Sequence, residues 1–424
     1  MRIGIDCRTI LSPGLGERAG VGHYTYYLVK NLLTLDKKNK YILFFDSRFK
    51  KTKEFKADNV EIRFFPFYQY KKFLPITYSQ MLVSAVLSRE KLDVFHAPAN
   101  IAPLPYKKPY VVTIHDLALY RLPELYPKRF LSRQMFATKV LVPQTLTKAT
   151  KIIAVSKNTK VDIVEEFGIP EDKVAVVYEG VTFHQKDEFK KIDLPVIKKK
   201  YGIKGKYIMF LGTIEPRKNI ASLVKAFRNL SLVYDSPLKD YQLIIAGASG
   251  WYDKNVYKEI ADANESILGK KIKPKKNNKD KKDGKPKKKK QNKNINLERN
   301  LPVKYIGYIS AKEKLALLKN AACFVFPTLY EGFGLPVLES MSLGTPVITS
   351  NVSSLPELVG DRGAIKIDPY KESEISEAIS RIVTDDGLRE SLSIRGKEQA
   401  SKFNWRQCAE ETLEVYQSIF QNKK

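Results

Sequence analysis

Glu331 and Glu339, two carboxylates with seven residues between them, bracket a turn that reads Gly332-Phe333-Gly334-Leu335-Pro336-Val337-Leu338. A carboxylate that accepts two hydrogen bonds at once suits a pair of neighbouring sugar hydroxyls. The glycines let the backbone approach a ligand closely. Pro336 fits the first position of a helix, which puts the amides of Gly334 and Leu335 at its positive end, an anion site best matched by phosphate. Phosphate in the middle and sugar at both ends describe a nucleotide sugar. A helix start with a carboxylate complementing its dipole is the plainer reading of the same residues.

A second set of charges stands in Glu215-Pro216-Arg217-Lys218-Asn219, between the apolar run 207–214 and the amphipathic run 220–230. Two adjacent cations at such a strand-to-helix turn, facing the sheet edge that carries Gly334, would neutralise a diphosphate. An exposed charged turn is the alternative. No Asp-x-Asp occurs in the chain, so no divalent metal is expected at the diphosphate and the two cations take its place. His96 and His115 close two short apolar runs, 93–98 and 110–117. Polar residues there fall at the carboxyl edge of a parallel sheet, where such folds bind ligands. A histidine at a strand end is also often structural.

The elements that must carry these residues alternate as strand and helix, the pattern of doubly wound parallel sheets. In the first half, strands are expected at 41–45 and 60–65, a helix at about 77–88, and a further strand at 152–155 leading into a helix that Ser156 would cap. A glycine-containing loop, 12–24, runs into a helix over 26–33. Gly14, Gly16 and Ala19 fit the dinucleotide fingerprint poorly, because several residues separate strand from first glycine. The region 120–146 is basic and aromatic, with Lys128, Arg129, Phe130, Arg133 and Phe136. If helical, it would rest on anionic lipid or shape an acceptor pocket, although plain surface packing explains it equally. A lysine-rich linker at 184–204 precedes a restart of the strand and helix pattern, with strands at 243–247, 303–309 and 344–350 and a short capped helix at 354–361.

At 424 residues with 43% hydrophobic content, the chain can build two cores. Cys7, Cys323 and Cys408 show neither metal spacing nor a pairable pattern, which points to a reducing compartment. The chain opens on a strand and contains no apolar run long enough to span a bilayer, so a cytoplasmic protein is expected. Between 270 and 294, 14 lysines against 2 aspartates account for 12 of the net charge of +28. Such a block has little to bury and repels itself, so it should be a disordered surface insertion. Contact with an anionic membrane is the next reading, ahead of a nucleic-acid tail, which lacks aromatic residues for stacking.

Glu331 to Glu339, with Gly332-Phe333-Gly334-Leu335-Pro336 inside, resembles the E-x7-E signature of the GT4-type retaining glycosyltransferases of the GT-B fold, the glycosyl transferases group 1. Arg217-Lys218-Asn219 is similar to the family's R-K-N element. Glu179-Gly180-Val181 is similar to its N-G-V element, with Glu179 where Asn is usual. The likeness covers nearly the whole chain except the insertion. It implies an α/β fold of GT-B type, two Rossmann-like doubly wound domains facing across a cleft. An acceptor-side domain would occupy 1–190 and a nucleotide-sugar domain 205–405, with a C-terminal helix, 406–424, packing back on the first.

By the same resemblance, His115 reaches the donor sugar through a hydrogen bond and its backbone carbonyl, with Asp116 fixing the turn. Glu331 grips the transferred hexose and Glu339 the ribose. Gly212, Thr213, Tyr308, Ile309, Gly332, Phe333, Gly334 and Leu335 contact the donor. Gly20 and Gly22 lie near donor phosphate or acceptor, and His96 is placed with them on the strand-end argument. The implied reaction moves a hexose from a nucleoside-diphosphate sugar, with no other cofactor, to a glycan or lipid-linked acceptor at an anionic membrane surface. It proceeds with retention: the acceptor hydroxyl attacks on the leaving-group face and the departing phosphate takes its proton. His23-Tyr24-Thr25 and Tyr178-Glu179-Gly180-Val181 lean toward a mannosyltransferase-like subgroup using GDP-mannose, with UDP-glucose open. A nucleotide-sugar epimerase or a phosphorylase on the same fold, or a basic nucleic-acid-binding protein, are the alternatives.

Overall fold

The computed structural model describes residues 1–10, 20–49, 52–65, 76–126, 133–183, 189, 192–251, 253–270 and 301–421. Gly14, Gly16, Ala19, Lys128, Arg129, Phe130, residues 184–188 of the linker and 271–294 of the lysine-rich insertion lie outside the described residues, as do the side chains of Arg133 and Phe136. The chain forms two compact units. The first comprises Met1–Thr182, Glu331–Leu335 and Ser401–Lys424, the second Phe183–Tyr330 and Pro336–Ala400. Boundaries drawn on sequence put all of the 331–339 motif in the second domain. The structure instead groups Glu331–Leu335 with the first unit, because that loop packs on first-unit residues.

In the first unit the strands are β1 (Arg2–Asp6), β2 (Lys40–Asp46), β3 (Val60–Phe65), β4 (Val94–Ala97), β5 (Tyr110–Ile114), β6 (Lys151–Ala154) and β7 (Val174–Val176). They lie parallel in the order β3-β2-β1-β4-β5-β6-β7. Side chains alternate across a strand. In β2, Tyr41, Leu43 and Phe45 enter one core and Ile42 and Phe44 the other. Both faces are thereby apolar, as a sheet covered on both sides requires. Helix α1 (Gly20–Leu35) and the last helix of the chain, Trp405–Gln421, cover the first face, where Tyr24, Leu28 and Leu32 pack with Cys408, Ala409 and Tyr416. Helices α2 (Ile76–Arg89), α3 (Ala118–Arg121), α4 (Arg133–Lys148) and α5 (Lys157–Phe167) complete this part of the chain. Helix α1 begins at Gly20, six residues earlier than the apolar pattern suggests, because Gly20 and Gly22 are helical themselves. Ser156 caps α5 through Thr159 N.

The second unit contains α6 (Leu194–Tyr201), β8 (Lys206–Leu211), α7 (Ile220–Ser231), β9 (Tyr241–Ala246), α8 (Lys254–Leu268), β10 (Val303–Gly307), α9 (Ala311–Lys319) and β11 (Cys323–Phe326). It continues with α10 (Leu335–Ser342), β12 (Val347–Ser350), α11 (Leu355–Val359), β13 (Ile365–Ile367), α12 (Glu372–Thr384) and α13 (Asp386–Ser401), before α14 (Trp405–Gln421) joins the first unit. The sheet order is β10-β9-β8-β11-β12-β13, all parallel. The order reverses between β8 and β11, as it does between β1 and β4 in the first unit. The carboxyl ends of such strand pairs are where open α/β sheets take ligands.

Helix α10 starts at Leu335, so Pro336 occupies its second position rather than its first. Gly334, at φ 112°, makes the turn that only glycine adopts readily. Strand β12 is shorter than the run 344–350, since Gly344 turns at φ 77°. Ser354 precedes α11 in a helical conformation and makes no side-chain cap bond.

A buried polar chain ties α14 to the first sheet. Tyr416 OH lies 2.7 Å from His96 Nδ1, His96 Nε2 lies 2.8 Å from Thr113 Oγ1, and Tyr24 OH lies 3.1 Å from the same oxygen. All four side chains are fully buried. Tyr416→Phe is expected to cost about 1–3 kcal/mol of stability, the penalty for stranding a buried partner, measurable as a lowered midpoint in urea.

Candidate functional site

On the second unit, Gly212 and Thr213 follow β8, and the chain then tightens into a one-turn 3-10 helix, Pro216–Lys218. Asn219 stops that turn at φ 53°, a left-handed position that asparagine tolerates better than most residues, and its Nδ2 donates to Pro369 O at 2.7 Å. The turn is bolted to the segment leaving β11. Arg217 Nη1 donates to Tyr330 O at 3.0 Å, while Arg217 O accepts from Leu329 N at 2.7 Å and Thr328 Oγ1 at 2.9 Å. Glu215, which sequence reasoning did not single out, holds Arg217 Nε at 2.7 Å. Lys218 is only 7% exposed, and its Nζ sits 5.1 Å from the centre of the Phe326 ring. Two cations are thus fixed at the carboxyl ends of β8 and β11.

Glu339, on α10, pairs with Lys314 of α9 at 2.6 Å. That partner was also missed, since nothing local links two residues on separate helices. Tyr308 is half exposed and Ile309 buried, so Ile309 offers a ligand its backbone and not its side chain. Among the described residues no group of three or more His, Cys, Asp or Glu could hold a metal ion.

On the first unit, the amide of His115 donates to Asn100 Oδ1 at 2.8 Å. The imidazole does not extend toward a substrate through a free nitrogen. Nδ1 lies 3.0 Å from Glu179 Oε1 and Nε2 lies 2.9 Å from the carbonyl of Pro98. Burial pulls the ring's pKa down, but the hydrogen bond and charge of Glu179 more than offset it, leaving the pKa above the ordinary histidine value. The expectation that the ring hydrogen-bonds the donor sugar is therefore corrected, for both nitrogens are already engaged.

The carbonyl of His115 does something else. Gly332 packs directly on it, so closely that a Cβ there would overlap the oxygen. Thr159 Oγ1 donates to Gly332 O at 3.2 Å. The Phe333 ring is buried 6.2 Å from Tyr178 and 6.0 Å from Phe403, and the Leu335 side chain packs against the first core, so these two positions offer a ligand their backbone. Glu331 is 8% exposed.

His96 is also corrected. It is wholly buried, both ring nitrogens are bonded within the polar chain, and burial drives its pKa down to about 3, so it is a neutral core residue and lines no acceptor site. Gly20 is exposed at the start of α1, whereas Gly22, two residues further in, is buried.

Residues 194–399 match the family model described as glycosyl transferases group 1, and residues 18–185 match that of glycosyltransferase family 4. The chain is 30% identical over 326 residues to the O-antigen chain mannosyltransferase B of Escherichia coli, covering 77% of this chain and 74% of the relative. Among solved structures, Anabaena HepE in complex with UDP and glucose superposes at a TM-score of 0.65 with 15% identity, covering 99% of this chain and 100% of the other. Sucrose-phosphate synthase from Thermosynechococcus elongatus does so at 0.66 with 17% identity, over 100% of both. At those identities the structural likeness speaks for the fold alone.

Proposed function

Because the chain belongs to the GT4-type glycosyltransferases of group 1, enzymes of the GT-B fold, we propose that it is a retaining, metal-independent mannosyltransferase acting in polysaccharide assembly. The donor would be a nucleoside-diphosphate hexose, GDP-mannose ahead of UDP-glucose, and the acceptor a glycan or lipid-linked glycan. The observation that carries the chemistry is the Arg217–Lys218 turn, locked by Tyr330, Leu329 and Thr328 at the reversal point of the second sheet. Two cations there stabilise the charge that grows on a departing diphosphate, which is the dominant requirement of such a transfer.

Glu339 takes the ribose hydroxyls, with Lys314 orienting its carboxylate. Glu331 takes hydroxyls of the hexose, and the acceptor hydroxyl loses its proton to the departing phosphate. The name of the 30%-identical relative supports mannose and an O-antigen-type acceptor. Among the described residues no helix is long and apolar enough to cross a membrane. A peripheral position on the cytoplasmic face would bring a lipid-linked acceptor within reach, and the excess of basic residues suits an anionic bilayer.

Incubation with GDP-mannose and with UDP-glucose, with and without a polyprenyl-linked glycan, tests the reading. Nucleoside diphosphate released only when acceptor is present, undiminished by EDTA, with an α-linked product, is the expected result. A hexose epimer formed without acceptor would replace transfer by epimerisation. A related result concerns Glu339. The matching nucleoside diphosphate should raise the melting temperature of the wild type, by up to about 2.7 kcal/mol of stabilisation at a hundredfold excess over Kd, and leave Glu339→Ala almost unmoved.

A further inference from the structure

We propose that Glu179 is a positioning residue that holds His115 as a doubly protonated imidazolium, and that this fixed charge is what the His115 side chain contributes to the transfer reaction. The consequence for turnover rests on the function proposed above; the geometry does not. Nε2 faces the carbonyl of Pro98 at 2.9 Å, and a carbonyl only accepts, so Nε2 carries a proton. Nδ1 faces Glu179 Oε1 at 3.0 Å, and an ionised carboxylate also only accepts, so Nδ1 carries the second. A neutral imidazole has one N–H and would leave one of these acceptors facing a lone pair, unless the proton sat on Glu179 instead.

The surroundings decide between those two places. Besides Glu179, the groups around the ring are Asp116, next in the chain, Tyr24 of α1, edge-on at 4.8 Å between ring centres, and His96 of β4, which burial keeps neutral. The carboxylate of Glu179 at 3.0 Å and the negative charge of Asp116 beside it favour the charged ring over a proton moved to the acid. Glu179 is 4% exposed and its Oε2 has no hydrogen-bond partner among the described residues, so the imidazolium is the group that compensates its charge. Asparagine, usual in the resembled family at this position, would offer a neutral oxygen and hold no charge on the ring.

The sign of the pH dependence follows. A histidine whose pKa is raised on folding contributes stability that is complete below the unfolded value and is lost as pH rises through the folded one. In Glu179→Gln the carboxylate is gone, burial dominates, and the ring gives up its proton at a pH below the ordinary histidine range.

The chain has four histidines, so the full-length protein labelled with 15N-histidine gives a tractable long-range 1H–15N spectrum, with His115 assigned by H115N. In the wild type, both His115 nitrogens should show protonated-type shifts at neutral pH and keep them beyond the ordinary histidine range. In E179Q one nitrogen should convert, with the midpoint lowered by roughly one pH unit or more. An unprotonated-type Nδ1 in the neutral wild type would place the proton on Glu179 and overturn the proposal, even if E179Q failed to fold. With the donor identified, kcat against pH should show an alkaline limb that moves to lower pH in E179Q while the donor KM holds; a merely structural Glu179 would lower activity without moving the limb. Absence of transfer with every donor would count against the proposed function, and the spectrum would still decide the charge of the ring.

Discussion

Replacing Lys218 by alanine is expected to lower kcat/KM by roughly 30- to 1000-fold, about 2–4 kcal/mol of barrier, the range for deleting one donor that stabilises developing charge. The size of the effect comes from burial. At 7% exposure the ammonium works in a poorly solvated place, with the Phe326 ring 5.1 Å away, and a charge there acts more strongly on a diphosphate than one in water. The turn itself should survive the substitution, because its hydrogen bonds to Leu329, Thr328 and Tyr330 run through Arg217 and the backbone. Melting temperature should therefore fall little while turnover collapses. Lys218→Arg should recover only part of the loss, since a planar fork does not replace a compact point charge in an enclosed position. A loss below about threefold in Lys218→Ala, with a nucleoside-diphosphate donor shown to turn over, would remove Lys218 from the proposed chemistry.

How much of this was legible in the sequence depends on the range of the interaction. An apolar run such as 207–214, ahead of a charged turn, announces a parallel strand, and most of β8 lies within it. The Arg217–Lys218 turn and the glycines of the 331–339 motif could also be read, because their roles follow from local backbone and charge. What could not be read were partners chosen by tertiary packing. Glu179 meets His115 across 64 residues and Lys314 meets Glu339 across 25. A strand-end histidine looks the same in sequence whether its ring reaches outward or, like His96 and His115, is tied down on both sides. The seat of Phe333 was hidden in the same way: an aromatic residue inside a ligand-binding motif can serve the motif by anchoring it, here between Tyr178 and Phe403.

That anchoring leads to the second large effect, expected for Gly332→Ala. A Cβ on Gly332 would overlap the carbonyl oxygen of His115 and stand 2.9 Å from Asp116 Cβ. The main obstacle is backbone, which cannot turn aside as a flexible side chain can, so the 331–335 loop must lift away from His115. Lifting it loses the bond from Thr159 Oγ1 to Gly332 O and draws Phe333 out of its aromatic seat. Overpacking of this kind costs about 1–3 kcal/mol or more. Because Glu331 is the adjacent residue, the displacement should reach the carboxylate proposed to hold the hexose, and misplacement on the scale of an ångström costs about 100-fold in rate. Calorimetry and steady-state kinetics on the same preparation check both parts. Gly387→Ala, in the first turn of α13, is the control, since its Cβ would meet an Asp385 carboxylate oxygen at 3.4 Å, and alanine there should be neutral or stabilise by up to about 1 kcal/mol. If Gly332→Ala melts and turns over as the wild type does, the loop does not rest on the His115 carbonyl in solution, and the link between that contact and Glu331 fails with it.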